Sequence, residues 1–305
     1  MHTYVSDTTL TEPIAPSLPL TRRAHERFSP KASFWFFVVR FTLLHLVCLG
    51  ALWTGVRLQD VILCAVLYLV RMFFVTAGYH RYFSHRTYRL NRFWQFVFAF
   101  MAQSSGQKSA IWWAAHHRHH HKHSDTEHDI HSVRQGGFLW AHMGWIFDIR
   151  HQDTDLERVK DLTKYPELMW LHRYENVPFI AMAVVVTACF GWSALFIGFF
   201  LSTVLCWHAT FAINSLAHVM GRRRYETTDD SKNSLLLALI TLGEGWHNNH
   251  HHYQASANQG FFWWEVDITY YGLWALSKVG VVKKLRKAPH HVVHSLPHPR
   301  AAVES

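Results

Sequence analysis

Histidines dominate the residues of this chain that could do chemistry. The 305 residues include 26 histidines, and several recur at fixed spacing. His80 and His85 stand five apart in "HRYFSH", and the box "HRHHH" is followed much later by a second one, "HNNHH". A lone histidine is usually a packing or surface residue, but repeated sets at ligand spacing are typical of metal sites, because neutral imidazole is a common metal ligand. The spacing therefore predicts metal binding.

The candidate ligands share helical spacing. The boxes "HRHHH" and "HNNHH" each place three histidines at intervals of three and four, on one face of a helix. His80 and His85 are about 140° apart on an ideal α-helix, so we expect them either to serve different metals or to lie where the helix breaks. "NSLAH" adds Asn214 and His218, four apart. The nine histidines are His80, His85, His117, His120, His121, His218, His247, His250 and His251.

The number and type of these ligands narrow the metal. Nine imidazoles are too many for one tetrahedral zinc but enough for two ions with four to five ligands each. Imidazole suits iron, copper, nickel and zinc, and the absence of cysteine from the boxes argues against iron–sulfur or copper(I) chemistry. Asp125, Glu127, Asp129 and Glu244 lie beside the boxes. They could accept hydrogen bonds from imidazole N–H groups, or be solvated loop charges.

Long apolar segments, which predict membrane helices, separate these histidine boxes and would have to bring them together. Half of the residues are hydrophobic, and the net charge is +9. The basic residues flank the apolar runs, so this charge indicates contact with the cytosolic face of a membrane and not with nucleic acid. We predict an all-α integral membrane protein whose four transmembrane helices form two hairpins. The predicted spans are 33–54, 59–79, 177–192 and 194–213. By the positive-inside rule both termini and every histidine box face the cytosol.

The remaining segments complete one predicted domain at 33–285, with a cytosolic helical cap at 80–176 and 214–285. Residues 1–32 read as a mobile leader, and the prolines after 286 predict a disordered tail to 305. The apolar run Phe93–Ala102 is too short to span, so we expect it at the interface or beneath the cap. Arg40 and Arg71 lie inside the first two spans, about two turns from the cytosolic end, and could snorkel to the interface.

Four motifs together resemble one known family. In chain order they are "AGYHRYFSHRTY", "HHRHHHKHSDTEHDIHS", "NSLAHVMG" and "GEGWHNNHHHY". They resemble the membrane fatty-acyl desaturases of the stearoyl-CoA (Δ9) desaturase-like family, bacterial type, over about Gly78 to Gly280. The resemblance implies four transmembrane helices, a cytosolic cap with two Fe²⁺ ions, and O₂-dependent insertion of a cis double bond, usually at carbons 9 and 10. It implies that the nine histidines named above are the iron ligands, and that Asn214 holds a metal-bound water.

The headgroup of the substrate stays open at this stage. Where acyl-CoA members of the family resemble "QNDVYEWARDHR", this chain reads "QKSAIWWAAHHR", with Lys108, Ala115 and His116 in place of polar and charged contacts. The acyl chain could therefore be carried on CoA held differently or on a membrane lipid. Lys108, Lys122 and Arg118 would suit a phosphate-bearing headgroup. No heme-binding "HPGG" segment occurs, so we expect electrons from a separate carrier such as a ferredoxin or a cytochrome-b5-type protein.

The chemistry of such a reaction fits a redox metal pair. Oxidation of an unactivated methylene needs a stronger oxidant than any side chain, so a metal pair must bind and reduce O₂. The protein would position the acyl chain in an apolar tunnel beside the metals. A membrane hydroxylase of fatty acids or alkanes would share this centre, and a non-catalytic metal-binding or metal-transporting membrane protein is an alternative of another class. We expect a bacterial inner membrane location. The tryptophans that could wall the tunnel are Trp112, Trp113, Trp140, Trp145, Trp246, Trp263 and Trp264.

Overall fold

The computed structural model describes residues 30–295, and within that range the chain is helical, with isolated bridges but no β-strand. Ten helices matter for the site. They are α1 Lys31–Thr54, α2 Leu58–Ser84, α3 Arg92–Gln103, α4 Ala110–His123, α5 Pro166–Arg173, α6 Val177–Phe190, α7 Ala194–Val219, α8 Leu235–Ile240, α9 His247–His252 and α10 Ile268–Lys278. Shorter helical turns are Val133–Gly136, Phe138–His142, Gly144–Phe147, Ile149–His151, Leu156–Val159, Lys160–Thr163 and His290–Val293. Most of the predicted leader, residues 1–29, lies outside the described range.

Three helices, α1, α2 and α7, are long and apolar enough to cross a membrane. The bent pair α5 and α6 meets at 73° and makes a fourth candidate if it is one broken span. Large apolar side chains such as Leu43, Leu52 and Val184 are exposed on these helices, as lipid-facing residues would be. Two helices continue past their predicted ends, α2 to Ser84 and α7 to Val219. The candidate ligands His80 and His218 therefore lie on the membrane-length helices themselves.

The short apolar run at Phe93–Ala102 forms α3, which packs along the end of α2 that carries His80. The Tyr82 hydroxyl donates to Gln95 Oε1 at 2.9 Å. A Cβ atom on Gly78 would lie 3.3 Å from the carbonyl oxygen of Phe98, so glycine lets the two backbones approach closely. As the length of the run predicts, α3 does not qualify as a span.

Arg71 does not snorkel, contrary to the prediction from its place in the span. The side chain is fully buried, and its guanidinium donates to Thr203 Oγ1 at 2.6 Å, to the Phe199 carbonyl at 3.1 Å and to the Ser202 hydroxyl. α7 supplies these oxygens at the depth of Arg71, so the guanidinium is satisfied without reaching the interface. Arg71 thus ties α2 to α7. Arg40 is exposed.

Part of the predicted disordered tail is ordered. The backbone N–H of Arg286 donates to the Thr87 carbonyl at 3.0 Å, and the N–H of Ala257 donates to the Arg286 carbonyl at 2.9 Å. Farther along, the Tyr225 hydroxyl donates to the Val293 carbonyl at 2.7 Å. These backbone bonds to distant segments outweigh the local proline signal. Residues 296–305 lie outside the described range.

Candidate metal centre

The nine histidines singled out by spacing lie in two adjacent groups. In each group, one nitrogen from every ring lies within 4.8 Å of the others. The first histidine group consists of His80, His85, His117, His121 and His250, and the second of His120, His218, His247 and His251. The two groups touch, since the ring centroids of His121 and His251 are 4.4 Å apart.

A change of helix type brings His80 and His85 together. From Val75 to Ser84, α2 is a π-helix, and the backbone N–H of His85 donates to the His80 carbonyl at 3.3 Å. A bond from residue i to i+5 places residues five apart on one face, whereas an α-helix would separate them by about 140°. His85 also stands at the helix end. Both histidines therefore belong to the first group, which the sequence spacing alone left open.

The two triple boxes are each divided between the groups. On α4, His117 and His121 belong to the first group and His120 to the second. Side chains four residues apart on an α-helix point in directions about 40° apart. A side chain three residues away is rotated by about 60° in the opposite sense, so it faces a different neighbour. α9 repeats the division, with His247 and His251 in the second group and His250 in the first.

The nitrogen spacings fit metal ions. Two imidazole nitrogens bound at right angles to one ion, each at roughly 2.1 Å, lie roughly 3 Å apart. In the second group the Nε2 atoms of His218 and His247 are 3.2 Å apart. Hydrogen bonds could pair two such nitrogens but not a convergent set of five. The Nε2 pairs of the first group are His80–His250, His85–His117 and His117–His121 at 2.9 Å, and His121–His250 at 3.0 Å.

Carboxylates hold the far nitrogen of several rings. His218 Nδ1 lies 2.9 Å from Asp125 Oδ2, and His120 Nδ1 lies 3.0 Å from Asp129 Oδ1. His80 Nδ1 contacts Glu244 Oε2. An N–H at Nδ1 that donates to a carboxylate leaves Nε2 free to bind a cation. Three of the four acids named from the sequence thus orient candidate ligands. The fourth, Glu127, is 82% exposed at its side chain, and its ion-pair partner within residues 30–295 is His128.

A fourth carboxylate, Asp229, orients a candidate ligand and was not recognised from the sequence. Asp229 is buried, and its Oδ2 lies 2.6 Å from His251 Nδ1. The opposite nitrogen, His251 Nε2, is buried without a hydrogen-bond partner among residues 30–295, and it is available to a cation in the second group. Asp229 lies in a polar loop far along the chain from His251, and no spacing rule links the two.

Electrostatics favours cation binding at both groups. Burial lowers the pKa of His85, His117, His121, His247 and His250 well below the usual value, and neighbouring imidazoles lower it further. These rings are therefore neutral, which is the form that binds metal. Burial raises the pKa of the Asp229 carboxyl, but the electrostatic interaction and the hydrogen bond with His251 outweigh burial and bring that pKa below its usual value. The result is a set of neutral ligands backed by anionic carboxylates.

A cavity leads to both histidine groups. Its larger part, about 200 Å³, is lined by Trp113, His117, Thr210 and Asn214 among others, and a smaller part of about 40 Å³ shares these four residues. The smaller part is also lined by histidines of both groups, His80, His117, His120 and His247. Asn214, the proposed holder of a bound water, faces this space one helical turn before His218 on α7.

The walls of the larger cavity are mainly aromatic. Of the predicted tryptophans, Trp112, Trp113 and Trp145 line it, whereas Trp140, Trp246, Trp263 and Trp264 do not. α1 supplies much of the remaining apolar wall through Phe37, Phe41 and Leu44, which the sequence reading did not assign to the tunnel.

The cavity has a polar end at the break between α5 and α6. Lys108 lines it, and Lys108 Nζ is 3.2 Å from Glu175 Oε1. A neighbouring polar cavity of about 330 Å³ shares Lys108 and Glu175 and adds Arg173. Of the three cations predicted for a headgroup, only Lys108 lies here. Arg118 is bonded to Asp161 at 2.7 Å, and Lys122 lies on a separate groove.

Membrane-length helices that carry two histidine groups beside an apolar cavity are the arrangement expected of a membrane enzyme that acts on long apolar chains. Residues 57–273 match the family model for fatty acid desaturases, and the chain belongs to that family. It is therefore a fatty-acyl desaturase, as the four motifs predict. Desaturases of this family generally depend on two iron ions.

Curated relatives agree on the activity and differ in the carrier of the acyl chain. The chain is 34% identical to the sn-2 palmitoyl-lipid 9-desaturase of Nostoc sp. (strain 36) over 271 residues, which cover 87% of this chain and 95% of the relative. It is 33% identical to the sn-1 stearoyl-lipid 9-desaturase of Synechocystis sp., over 84% of this chain and 81% of the relative. It is also 33% identical to the acyl-CoA 5-desaturase AL21 of Anemone leveillei, over 84% of this chain and 80% of the relative.

Proposed function

We propose that this protein is a di-iron acyl-lipid desaturase that inserts a cis double bond between carbons 9 and 10 of an acyl chain esterified to a membrane lipid. One observation carries the proposal: an apolar cavity of two adjoining parts, which share four lining residues, lies between a polar pocket and histidines of both groups. The names of relatives that match most of the chain support position 9 and a lipid substrate.

The two histidine groups would hold the iron pair. The first group offers five nitrogens and the second four, with Asn214 as the residue that would hold a bound water beside the second. When bound, an iron pair supplies the O₂-dependent redox chemistry that an unactivated methylene requires. The carboxylates of Asp125, Asp129, Asp229 and Glu244 would keep the imidazoles oriented and offset the charge of the cations.

The protein would choose the reacting carbons by position. His117 and Trp113 line both parts of the cavity, so an acyl chain that fills it passes directly beside the first group. The aromatic walls exclude water from that point, which protects the substrate and the oxidising centre from side reactions. The distance from the polar pocket to His117 would then set the position of the double bond.

The position of the polar pocket favours a lipid headgroup over CoA. The pocket lies at the break between α5 and α6, and its lining includes the exposed residues Tyr174, Val177 and Ile180. Val177 and Ile180 belong to the apolar helix α6, so the pocket opens at the level of the bilayer surface. Arg173 and Lys108 would bind a phosphate or glycerol headgroup there.

The proposed setting is a bacterial inner membrane with four spans, the third being the broken pair α5 and α6. The basic residues beside the apolar runs support a cytosolic site and cytosolic termini. The two electrons for each double bond would come from a separate protein carrier.

Expression in a host that lacks its own desaturase tests this function. We expect fatty acids with a double bond at carbon 9, found on intact membrane lipids by class-resolved mass spectrometry, and two irons per chain by elemental analysis. His218→Ala should abolish the product. His252→Ala is the matched control, because that ring stacks on Tyr225 and belongs to neither group. Product confined to the acyl-CoA pool, hydroxylated product, or zinc-only protein without O₂ uptake would each contradict the proposal.

A further inference from the structure

A short main-chain bridge joins the segment that follows α2 to the segment that follows α10. The N–H of Lys283 donates to the Arg89 carbonyl at 2.8 Å, and the N–H of Arg89 donates to the Lys283 carbonyl at 2.7 Å. The N–H of Arg286 donates to the Thr87 carbonyl at 3.0 Å. The two segments are therefore held side by side at the histidine-bearing end of α2.

This bridge lies at the level where α2 leaves its apolar span. The Tyr88 hydroxyl donates to the Ala77 carbonyl at 2.6 Å, and the Thr87 N–H donates to the Arg81 carbonyl at 3.0 Å. Ala77 and Arg81 flank the end of the span that hydropathy predicts. Arg89, which follows Tyr88 directly, therefore lies at the expected level of the lipid headgroups.

The bridge places like charges side by side. Directly opposed residues of an antiparallel pair project from the same face with Cβ atoms about 5 Å apart, and like charges at such a pair repel each other. Arg89 and Lys283 are opposed in this way. More cations follow in the same segment, and all of them are exposed. We call these five residues the basic bridge, and they are Arg89, Lys283, Lys284, Arg286 and Lys287.

The basic bridge has no acidic partner of its own. Within residues 30–295 no carboxylate lies within ion-pair distance of its five side chains, and Glu244 and Asp267 are buried and bond to Arg81 instead. Lys287 lies 5.3 Å from the ring of Tyr270. Cations that are held together without acids indicate that an anion from outside the chain offsets their charge.

Exposed aromatic side chains on α10 indicate what carries this anion. α10 is held against the apolar span of α2, since Thr269 Oγ1 and Thr76 Oγ1 are 2.7 Å apart. Its exposed residues include Tyr271 and Trp274, and Lys278 Nζ lies 4.9 Å from the ring of Trp274. Tryptophan and tyrosine are typical of the membrane interface, where the ring contacts acyl chains and its polar edge faces the headgroups. A bilayer therefore fits this surface better than a soluble acidic protein does.

We propose that the basic bridge binds the headgroups of anionic lipids, such as phosphatidylglycerol, in the leaflet on the histidine side of the membrane. A lipid phosphate beside Arg89 and Lys283 would offset their repulsion. A cluster of four to eight lysines and arginines at the end of a membrane helix is typical of anionic-lipid recognition. A bound lipid would also hold the segments after α2 and α10 together at the membrane surface. The inference rests on the proposed membrane setting and is independent of the reaction.

Lipid binding is tested on the full-length protein without turnover. The protein is placed in nanodiscs of phosphatidylcholine alone or with added phosphatidylglycerol. Native mass spectrometry counts the lipids that stay bound after transfer to detergent, and hydrogen exchange follows the amides of segment 281–288. We expect the wild type to retain phosphatidylglycerol in preference to phosphatidylcholine, and the Lys283 and Arg286 amides to exchange more slowly when phosphatidylglycerol is present. This local measurement separates the bridge from the polar pocket at Lys108, where a substrate lipid would bind.

Matched variants separate the charge of the bridge from its structure. Lys283→Gln/Lys284→Gln should lower retention of phosphatidylglycerol about tenfold and remove the slower exchange, because each cation near an anionic membrane adds to the attraction. Lys283→Arg/Lys284→Arg keeps the charge and should behave as the wild type does. Lys160→Gln/Lys164→Gln removes the same charge at exposed lysines that have partners of their own, and it should also match the wild type.

Four outcomes would contradict lipid binding at the bridge. In the first, the glutamine variant retains phosphatidylglycerol as well as the wild type does. In the second, phosphatidylglycerol slows exchange around the polar pocket but not in segment 281–288. In the third, inorganic phosphate alone reproduces the full protection, which would make the bridge a site for free anions. In the fourth, the glutamine variant changes only the binding of an acidic soluble protein. None of these measurements uses the desaturated product, so a failure of the proposed function would leave the result on lipid binding valid.

Discussion

Replacing Asp229 by asparagine removes one buried negative charge and keeps the size of the side chain. Asp229 Oδ2 lies 2.6 Å from His251 Nδ1, and Oδ1 accepts from the Ser231 N–H at 3.0 Å. His251 is one of only four imidazoles in the second histidine group. Loss of the carboxylate weakens the hydrogen bond that orients this ring and lowers the basicity of its metal-facing nitrogen.

The structure allows the size of this effect to be bounded. Removing the hydrogen-bond partner of a metal-binding histidine typically costs 10- to 100-fold in metal affinity, or about 1.4 to 2.7 kcal/mol. Because Asp229 is buried, solvent should screen this effect little. If the two groups hold iron as proposed, we expect Asp229→Asn to lose iron to a competing chelator at concentrations that leave the wild type loaded.

Asp230, the residue next to Asp229, provides the matched control. Asp230 pairs with Arg134 at 2.7 Å and its side chain is 37% exposed, so Asp230→Asn removes the same charge without touching an imidazole. Iron retained against the chelator is measured by elemental analysis, alongside desaturated product. Equal iron retention and equal activity in the two variants would refute the assignment of Asp229 to the second group.

Three further outcomes can be checked on the same preparations. Arg71→Met should lower the free energy of unfolding in detergent by about 2 to 4 kcal/mol, because it removes the buried charged hydrogen bonds that tie α2 to α7. Arg40→Met at an exposed site should change thermal unfolding little. Val75→Phe should fill the inner part of the cavity and shift gas-chromatographic product profiles toward shorter acyl chains; an unchanged profile would argue against that path. Removal of metal by a chelator should abolish desaturation. Fe²⁺ but not Zn²⁺ should restore the activity, because zinc has no redox chemistry. Recovery with zinc would exclude a redox role for the metal.

The sequence predicted which histidines lie together better than how they are arranged. Boxes with spacings of three and four pointed to His117, His120 and His121 as ligands, and those rings do converge with others from distant parts of the chain. The spacing could not show how His80 and His85 meet, because hydropathy and propensity do not distinguish a π-helix from an α-helix. The same helical geometry that suggested one face also sends His120 to a different group from its neighbours.

Features set by tertiary contacts were not predictable. Arg71 looked like a snorkelling cation because the sequence does not show that Ser202 and Thr203 lie at its depth on another helix. Asp229 reaches His251 through the fold of a loop, and no local pattern marks that contact. The role of α1 as a cavity wall was hidden for the same reason, since a lipid-facing helix and a substrate-facing one have similar composition.

The division of each triple box has a consequence for how the protein acquires its ions. α4 and α9 each contribute histidines to both groups. An ion bound in one group would therefore hold both helices in the orientation that the second ion needs. We expect uptake to be cooperative, with chains carrying a single ion scarce at half saturation. Starving cells of iron would then divide the population into fully active and inactive molecules, rather than leave every molecule partly active.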